Sequence, residues 1–329
     1  MSLGNELGAA VTIWRSHAAL LGKTCWRMEF LRTSGLSPEL QAFDGWLFNN
    51  ASSLPERGAA GGCDPERPTY GFLMQLNPSD DPFHGIAGVV GPSCDQAGRP
   101  FPLSVATPVA IGAQVSAHPE IAPLVLESYW QAASEVLFAV RASAPCPGDR
   151  SLEGLTQEPT ESATGAFDTY VDWARQMRVG ELGSLLERPV SWVEHAVRVI
   201  AEAVARPGRV AGPTRASAIR VPLGRAGGGA LCFWLDVLRR TTFWRAHAPS
   251  FFWSHDGRVG DALLSVQAPD ERTLATLWRV GAAGHDVWDL TLEPGRRDWG
   301  ATAGVPSDAD QTLWTLLQQT GVRSRGSSD

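Results

Sequence analysis

The sequence predicts an α/β protein in which helices cover both faces of a largely antiparallel sheet, that is, a layered α/β/α sandwich. Short apolar runs bounded by turn residues alternate with segments of helical periodicity, a pattern typical of layered α/β domains. The chain has 329 residues, which is enough to bury one large core. Hydrophobic residues make up 43% and charged residues only 19%, a composition that excludes a disordered protein.

The N-terminal half is predicted to supply one helix and several strands. A strand is expected within residues 11–31, entering a loop near Gly22. Ser37 as a cap and Pro38 at the first helical position predict a helix over 37–50. Turn residues separate three further apolar runs, which therefore predict sequential antiparallel strands at 70–76, 86–90 and 101–106.

The second half is predicted to alternate between helices and strands in the same way. Helices are expected at 118–142, 189–205, 230–242 and 269–280, and strands at 217–223, 250–254 and 261–267. Composition predicts an exposed connection at 143–166 and a flexible loop at 224–229. We therefore expect one α/β domain over 1–294 and a polar tail over 295–329, with one short helix around 313–317 and disorder from residue 323.

Charge and cysteine content limit the classes of partner and compartment. The net charge of −7 argues against nucleic-acid binding and against polybasic attachment to membranes. The N-terminus lacks the pattern of a secretory signal, and prolines interrupt the longest uncharged stretch, so no membrane insertion is expected. Five scattered cysteines indicate reduced thiols in the cytoplasm. Lys23 is the only lysine, and this bias towards arginine is interpreted as a result of genomic base composition.

No complete catalytic motif is present, so we expect no enzyme activity, no metal and no cofactor. The histidines do not form a zinc-binding pattern, and His255 precedes an Asp-Gly turn. The glycine-rich segment 224–229 lacks the Gly-Lys-Ser/Thr ending of a phosphate loop. Ser93 and Asp95 lie outside any nucleophile-elbow motif.

A cluster of aromatic residues stands at 243–253, in a chain that has 13 tryptophans. The cluster contains five rings and one arginine, namely Phe243, Trp244, Arg245, Phe251, Phe252 and Trp253. Strand alternation would direct Phe251 and Trp253 to one face and Phe252 to the other. Burial in the core is one interpretation, and a protein interface anchored by an exposed ring is the other.

The segment 88–103 carries the most specific motif. It reads Gly-Val-Val-Gly-Pro-Ser-Cys-Asp-Gln-Ala-Gly-Arg-Pro-Phe-Pro-Leu, and it resembles the central motif of the TagF family of type VI secretion accessory proteins. The residues that carry this resemblance are Gly88, Pro92, Ser93, Asp95, Gly98, Arg99, Phe101 and Pro102. Residues 21–23 with 29–32, 43–47 and 250–257 resemble further family segments, in the same order along the chain.

The resemblance implies a cytoplasmic, non-enzymatic protein that restrains type VI secretion after translation. In that family, repression is associated with a forkhead-associated scaffold protein and is counterbalanced by a threonine phosphorylation pathway. Two alternatives stay open. One is a hydrolytic or small-ligand domain with a cleft near Ser93, Asp95 and Arg99, and the other is a structural component that nucleates assembly of the secretion machine.

The central motif is also interpretable as a turn between two strands. Asp95 and Gly98 have the properties of turn residues, and Arg99 lies where it could pair with Asp95. On this interpretation, Asp95→Ala should lower the free energy of unfolding by about 1–2 kcal/mol, the loss expected for a local turn interaction.

Overall fold

The computed structural model describes residues 11–13, 18–54, 67–75, 84–142, 152, 155, 162–204, 216–241, 250–254, 260–280, 287–292 and 308–326. Within these ranges the chain forms one sheet of ten strands with helices on both faces. The predicted α/β/α class with a largely antiparallel sheet is therefore confirmed.

The sheet runs across the whole molecule and joins the two halves of the chain. Its strands are β1 (Val11–Ile13), β2 (Ala19–Gly22), β3 (Leu31–Arg32), β4 (Tyr70–Met74), β5 (His84–Gly91), β6 (Leu103–Ile111), β7 (Ala218–Pro222), β8 (Ser250–Ser254), β9 (Asp261–Ser265) and β10 (Val287–Asp289). They follow the order β10-β7-β9-β8-β4-β5-β6-β2-β3, and β1 pairs with the other end of β6. The β10–β7 pair is parallel and the other described pairs are antiparallel.

The helices divide between the two faces of the sheet. They are α1 (Pro38–Ser52), α2 (Ala113–Ala117), α3 (Ala122–Val125), α4 (Glu127–Ala142), α5 (Ala163–Gln176), α6 (Val179–Leu185), α7 (Val190–Val204), α8 (Gly227–Thr241), α9 (Thr273–Leu277) and α10 (Leu313–Gly326). Helices α1 and α9 cover one face, and the others form the core on the opposite face. Alternation along β4 sends Phe72 to the first face and Leu73 to the second. None of the described helices has both the length and the apolar character needed to span a bilayer.

Two predicted helices are shorter than expected, for local reasons. The segment 118–142 contains a 3₁₀ turn, Pro119–Ile121, followed by α3 and α4. Pro123 lies in the first turn of α3, where it cannot donate the backbone hydrogen bond that would continue a helix from the 3₁₀ turn. The predicted helix 269–280 is reduced to α9, because the Asp270 carboxylate accepts hydrogen bonds from the next turn and Arg279 adopts a left-handed φ of 53°.

Several predictions for the remainder need correction. The predicted loop at 224–229 instead contains a 3₁₀ turn and the start of α8, and Gly229 packs so closely on Trp173 that a Cβ there would lie 2.9 Å from the ring. Residues 323–326, predicted to be disordered, continue α10. Leu155, within the predicted exposed connection, is buried. Helices α5 and α6 had no sequence prediction.

The expectation of reduced thiols is wrong for one cysteine. Cys94 is disulfide-bonded, whereas Cys25 and Cys232 are free. Cys63 and Cys146 lie outside the described residues. Disulfides that persist in the cytosol are uncommon, so this bond does not fit the pattern of thiols from which the compartment was predicted.

Candidate functional site

The central motif forms a tight turn between β5 and β6. The backbone N–H of Asp95 donates to the carbonyl of Arg99 at 3.0 Å, and the N–H of Gly98 donates to the carbonyl of Asp95 at 2.8 Å. Gly98 has a φ of 75°, a conformation that glycine adopts without steric cost. The structure therefore places Asp95, Gly98 and Arg99 in the turn arrangement that the sequence predicted.

Asp95 is the centre of the polar contacts in this turn. Its Oδ1 accepts hydrogen bonds from the backbone N–H groups of Ala97 and Arg99, each at 2.9 Å. Its Oδ2 accepts hydrogen bonds from Arg99 Nε at 2.6 Å and from Lys23 Nζ at 3.2 Å. Both Asp95 and Lys23 are buried. The carboxylate thus holds the turn together and also neutralises an ammonium group from the end of β2.

The contact with Lys23 joins two segments that the sequence analysis treated separately. The Ser93 hydroxyl donates to the Lys23 carbonyl at 2.7 Å, and the N–H of Gln96 donates to the Arg27 carbonyl at 3.0 Å. A Cβ on Gly22 would lie 2.1 Å from the Pro102 carbonyl oxygen, so the two segments are in backbone contact there. Residues 22–27 and 93–102 therefore form one platform.

The remaining motif residues support this platform from within the fold. Gly88 lies where a Cβ would be 2.3 Å from the Val105 carbonyl oxygen on β6, which explains the need for glycine. Pro92, Phe101 and Pro102 are buried. The Ser93 hydroxyl hydrogen is engaged by a carbonyl oxygen, so the serine is not paired with a general base in this conformation.

The charge contacts make the stability of the platform dependent on pH. Burial alone would raise the pKa of Asp95, but hydrogen bonds from Arg99 and Lys23 outweigh this effect and lower the pKa to about 2. Because the folded-state pKa lies below the unfolded value, the stabilisation by Asp95 is complete above pH ~4 and is lost as the pH falls towards 2.

We expect this dependence to appear when wild type is compared with the Asp95→Asn variant, whose side chain does not titrate. The difference in their free energies of unfolding should be constant above pH ~4 and should shrink between pH ~4 and ~2. Denaturant titrations at a series of pH values measure it. A difference that stayed constant down to pH 2 would contradict the assigned contacts.

An exposed aromatic surface adjoins the platform. It consists of Phe30 and Phe48, with Phe101 beneath and the exposed Met28 two residues before Phe30 in the same loop, and we call it the phenylalanine surface. The Phe30 ring lies 4.9 Å from that of Phe101 and 6.3 Å from that of Phe48. Lys23 Nζ lies 4.5 Å from the Phe30 ring centroid, a cation–π distance. The surface therefore rests directly on the central motif.

The exposure of these side chains is unusual for their type. Phe48 is 58% exposed, and Phe30 and Met28 are each 46% exposed. They are three of the five large hydrophobic side chains found exposed in the described part of the chain. Exposed apolar residues gathered in one place mark interaction sites more often than residues scattered singly.

The sequence analysis did not identify the phenylalanine surface. One signal was available on α1, where Leu40, Phe43 and Leu47 form the buried face of the helix. Phe48 falls outside this helical stripe, and a large ring at such a position is expected to face solvent.

The aromatic segment 243–253 was interpreted from the sequence either as part of the core or as an interface, and its described part lies in the core. Phe251, Phe252 and Trp253 are buried. Phe251 and Trp253 contact the Trp130 ring on one face, and Phe252 packs near Phe72 on the other. Helices cover both faces of β8, so these three rings are not available as exposed anchors. Phe243, Trp244 and Arg245 lie outside the described residues.

Other buried charges are satisfied within the fold. Arg220 donates to Asp261 at 2.7 Å, and Tyr70 also bonds this carboxylate. Asp236 accepts hydrogen bonds from Arg239, Arg240 and Tyr170. Within the described ranges, no three His, Cys, Asp or Glu side chains are grouped so that they could hold a metal ion.

Comparison with known proteins supports the resemblance. Residues 19–149 match the family model of the TagF N-terminal domain, described as type VI secretion system-associated. No curated protein matches the chain significantly. Among solved structures, the crystal structure of PA0076 from Pseudomonas aeruginosa PAO1 aligns with 88% of this chain and 100% of its own, at 14% identity and a TM-score of 0.42. That structural similarity is too low to support an argument about fold or function.

Proposed function

We propose that this protein is a regulator that acts by binding another protein. The premise is that residues 19–149 form a TagF N-terminal domain of the type associated with type VI secretion. The protein is a non-enzymatic cytoplasmic accessory protein that represses secretion after translation. Its partner is a forkhead-associated scaffold protein of the secretion system.

The observation that carries this proposal is the phenylalanine surface. Its exposed rings lie on the platform built by the family motif, and aromatic side chains are favoured anchors in protein interfaces. The motif thus has a structural role, because the Asp95–Lys23 ion pair holds the backbone of the turn. It also supports the exposed surface, because Phe101 and Lys23 lie against the Phe30 ring.

Replacement of Phe48 by serine tests this surface. We expect Phe48→Ser to weaken binding of the scaffold protein by about thirtyfold or more, the effect of losing an anchor worth roughly 2 kcal/mol. Its free energy of unfolding should change by less than about 0.5 kcal/mol, because the ring is largely exposed. Titration calorimetry and denaturant unfolding measure the two quantities.

Phe138→Ser is the matched control. Phe138 is 44% exposed on α4, which covers the opposite face of the sheet, so this variant should bind like wild type. In cells, Phe48→Ser should raise secretion if the protein is a repressor. Binding that both variants retained, or secretion that Phe48→Ser lowered, would contradict the proposal.

The non-enzymatic part of the proposal has a separate test. Because the Ser93 hydroxyl is bonded to a carbonyl and not to a base, we expect the purified protein not to hydrolyse generic ester or phosphate substrates. Turnover that disappeared in the Ser93→Ala variant would instead favour a hydrolytic site near Ser93, Asp95 and Arg99.

A further inference from the structure

The charges around the phenylalanine surface do not balance. Lys23 and Arg99 share a single carboxylate, that of Asp95. Arg32 is paired with Asp44, and Glu29 is an exposed carboxylate in the same loop as Arg27. Among the residues that the structure describes here, four positive side chains therefore stand against three carboxylates. A local positive excess is notable in a chain whose net charge is −7.

The same region has unused hydrogen-bond donors. Arg99 uses Nε for Asp95, its terminal amino groups are not part of that bond, and its side chain is 61% exposed. Arg27 stacks on the Trp26 ring at 5.8 Å and has no carboxylate partner among the described residues.

We infer that the phenylalanine surface binds a short acidic segment of a partner protein, with apolar anchor residues next to aspartate or glutamate. The inference rests on the proposed function, since it concerns the same surface. The anchors would pack on Phe30 and Phe48, and the carboxylates would accept hydrogen bonds from Arg99 and Arg27. A guanidinium group binds a carboxylate with two parallel hydrogen bonds, which adds specificity to the apolar contact.

A protein segment fits this surface better than an anionic membrane does. Electrostatic attachment to acidic lipid typically requires a cluster of about four to eight basic residues, and the local excess here is a single charge. The overall charge of −7 would also repel a negatively charged bilayer. Exposed rings beside a few arginines are instead the usual composition of a protein interface.

An array of synthetic peptides tests the inference on the full-length protein. Each 12-residue peptide carries two leucine or phenylalanine anchors, and the flanking positions are acidic, basic or neutral. We expect acidic peptides to bind at least about tenfold more strongly than the matched basic ones. Phe48→Ser should abolish binding, and Arg27→Glu should remove the preference for acidic flanks. Phe138→Ser should behave as wild type.

Several outcomes would overturn the inference. These are a preference for basic or neutral flanks, binding that Phe48→Ser leaves unchanged, no binding to any peptide, and Phe48-dependent binding to phosphatidylglycerol vesicles in its place. If the scaffold complex depends on Phe48 while the array shows no acidic preference, the proposed function stands and this inference fails. If the array shows the preference while the scaffold protein does not bind, the inference stands and the proposed partner is wrong.

Discussion

Replacing Asp95 by alanine is expected to destabilise the protein by about 3–5 kcal/mol, the range for removing one partner of a buried ion pair. The sequence alone suggested 1–2 kcal/mol, because it indicated only a local turn. The structure adds Lys23, whose ammonium group is buried and lies 3.2 Å from the carboxylate. Without Asp95 that charge has no compensation. Denaturant unfolding at neutral pH measures the loss.

A double-mutant cycle separates the ion pair from the turn. Asp95→Asn keeps the shape of the side chain and removes its charge, and Lys23→Met removes the ammonium group. If the two residues interact, the double variant should be less destabilised than the sum of the single variants. A loss of only 1–2 kcal/mol in Asp95→Ala, together with additive effects in the cycle, would show that the turn alone accounts for Asp95.

Gly22→Ala is expected to cost about 4 kcal/mol or more, which is exceptional for a single substitution. Two effects combine at this position. Gly22 has a φ of 127°, and a Cβ would lie 2.1 Å from the Pro102 carbonyl oxygen, an atom of the backbone that cannot rotate away. Thermal or chemical unfolding of the variant measures the cost.

Gly35→Ala is the comparison for a positive φ without a close contact. Gly35 has a φ of 73°, but no atom lies within 4 Å of the position of a Cβ. This variant should therefore lose only about 1–2 kcal/mol, the cost of a left-handed conformation for alanine. If Gly22→Ala were no more destabilising than Gly35→Ala, the close contact between residues 22 and 102 would be wrong.

Local sequence signals predicted the elements of the platform, but not how they meet. Asp95 and Gly98 are turn residues, and the apolar runs on either side predicted strands at 86–90 and 101–106, which overlap β5 and the first part of β6. The partner Lys23 is 72 residues away along the chain, a distance over which periodicity gives no information. Lys23 is the one lysine in a chain whose other basic residues are arginines, and this was the available signal that the position is special.

The aromatic segment 243–253 shows a different limit of what the sequence can predict. Strand alternation correctly separated Phe251 and Trp253 from Phe252. It could not show that helices cover both faces of β8. One face is covered by α1, and the other is covered by helices that are distant from β8 along the chain. A continuous aromatic run is typical of a strand buried on both faces. Phe48 gave a weaker signal, because it is a single ring outside the buried stripe of α1, whereas segment 243–253 concentrates five rings.

The pairing of β4 with β8 limits where this chain can be divided into separately folding parts. The segment that matches the family ends at residue 149, whereas β8, which lies beside β4 in the middle of the sheet, comes from residues 250–254. A truncated gene product ending near residue 149 would leave β4 with an open edge and would expose Phe72 where Phe252 now covers it. Open apolar edges promote aggregation. We therefore expect the N-terminal segment not to fold into a stable protein when it is expressed alone, recombined or fused to another protein. It should fold only if the second half of the chain, or a substitute strand beside β4, is supplied with it.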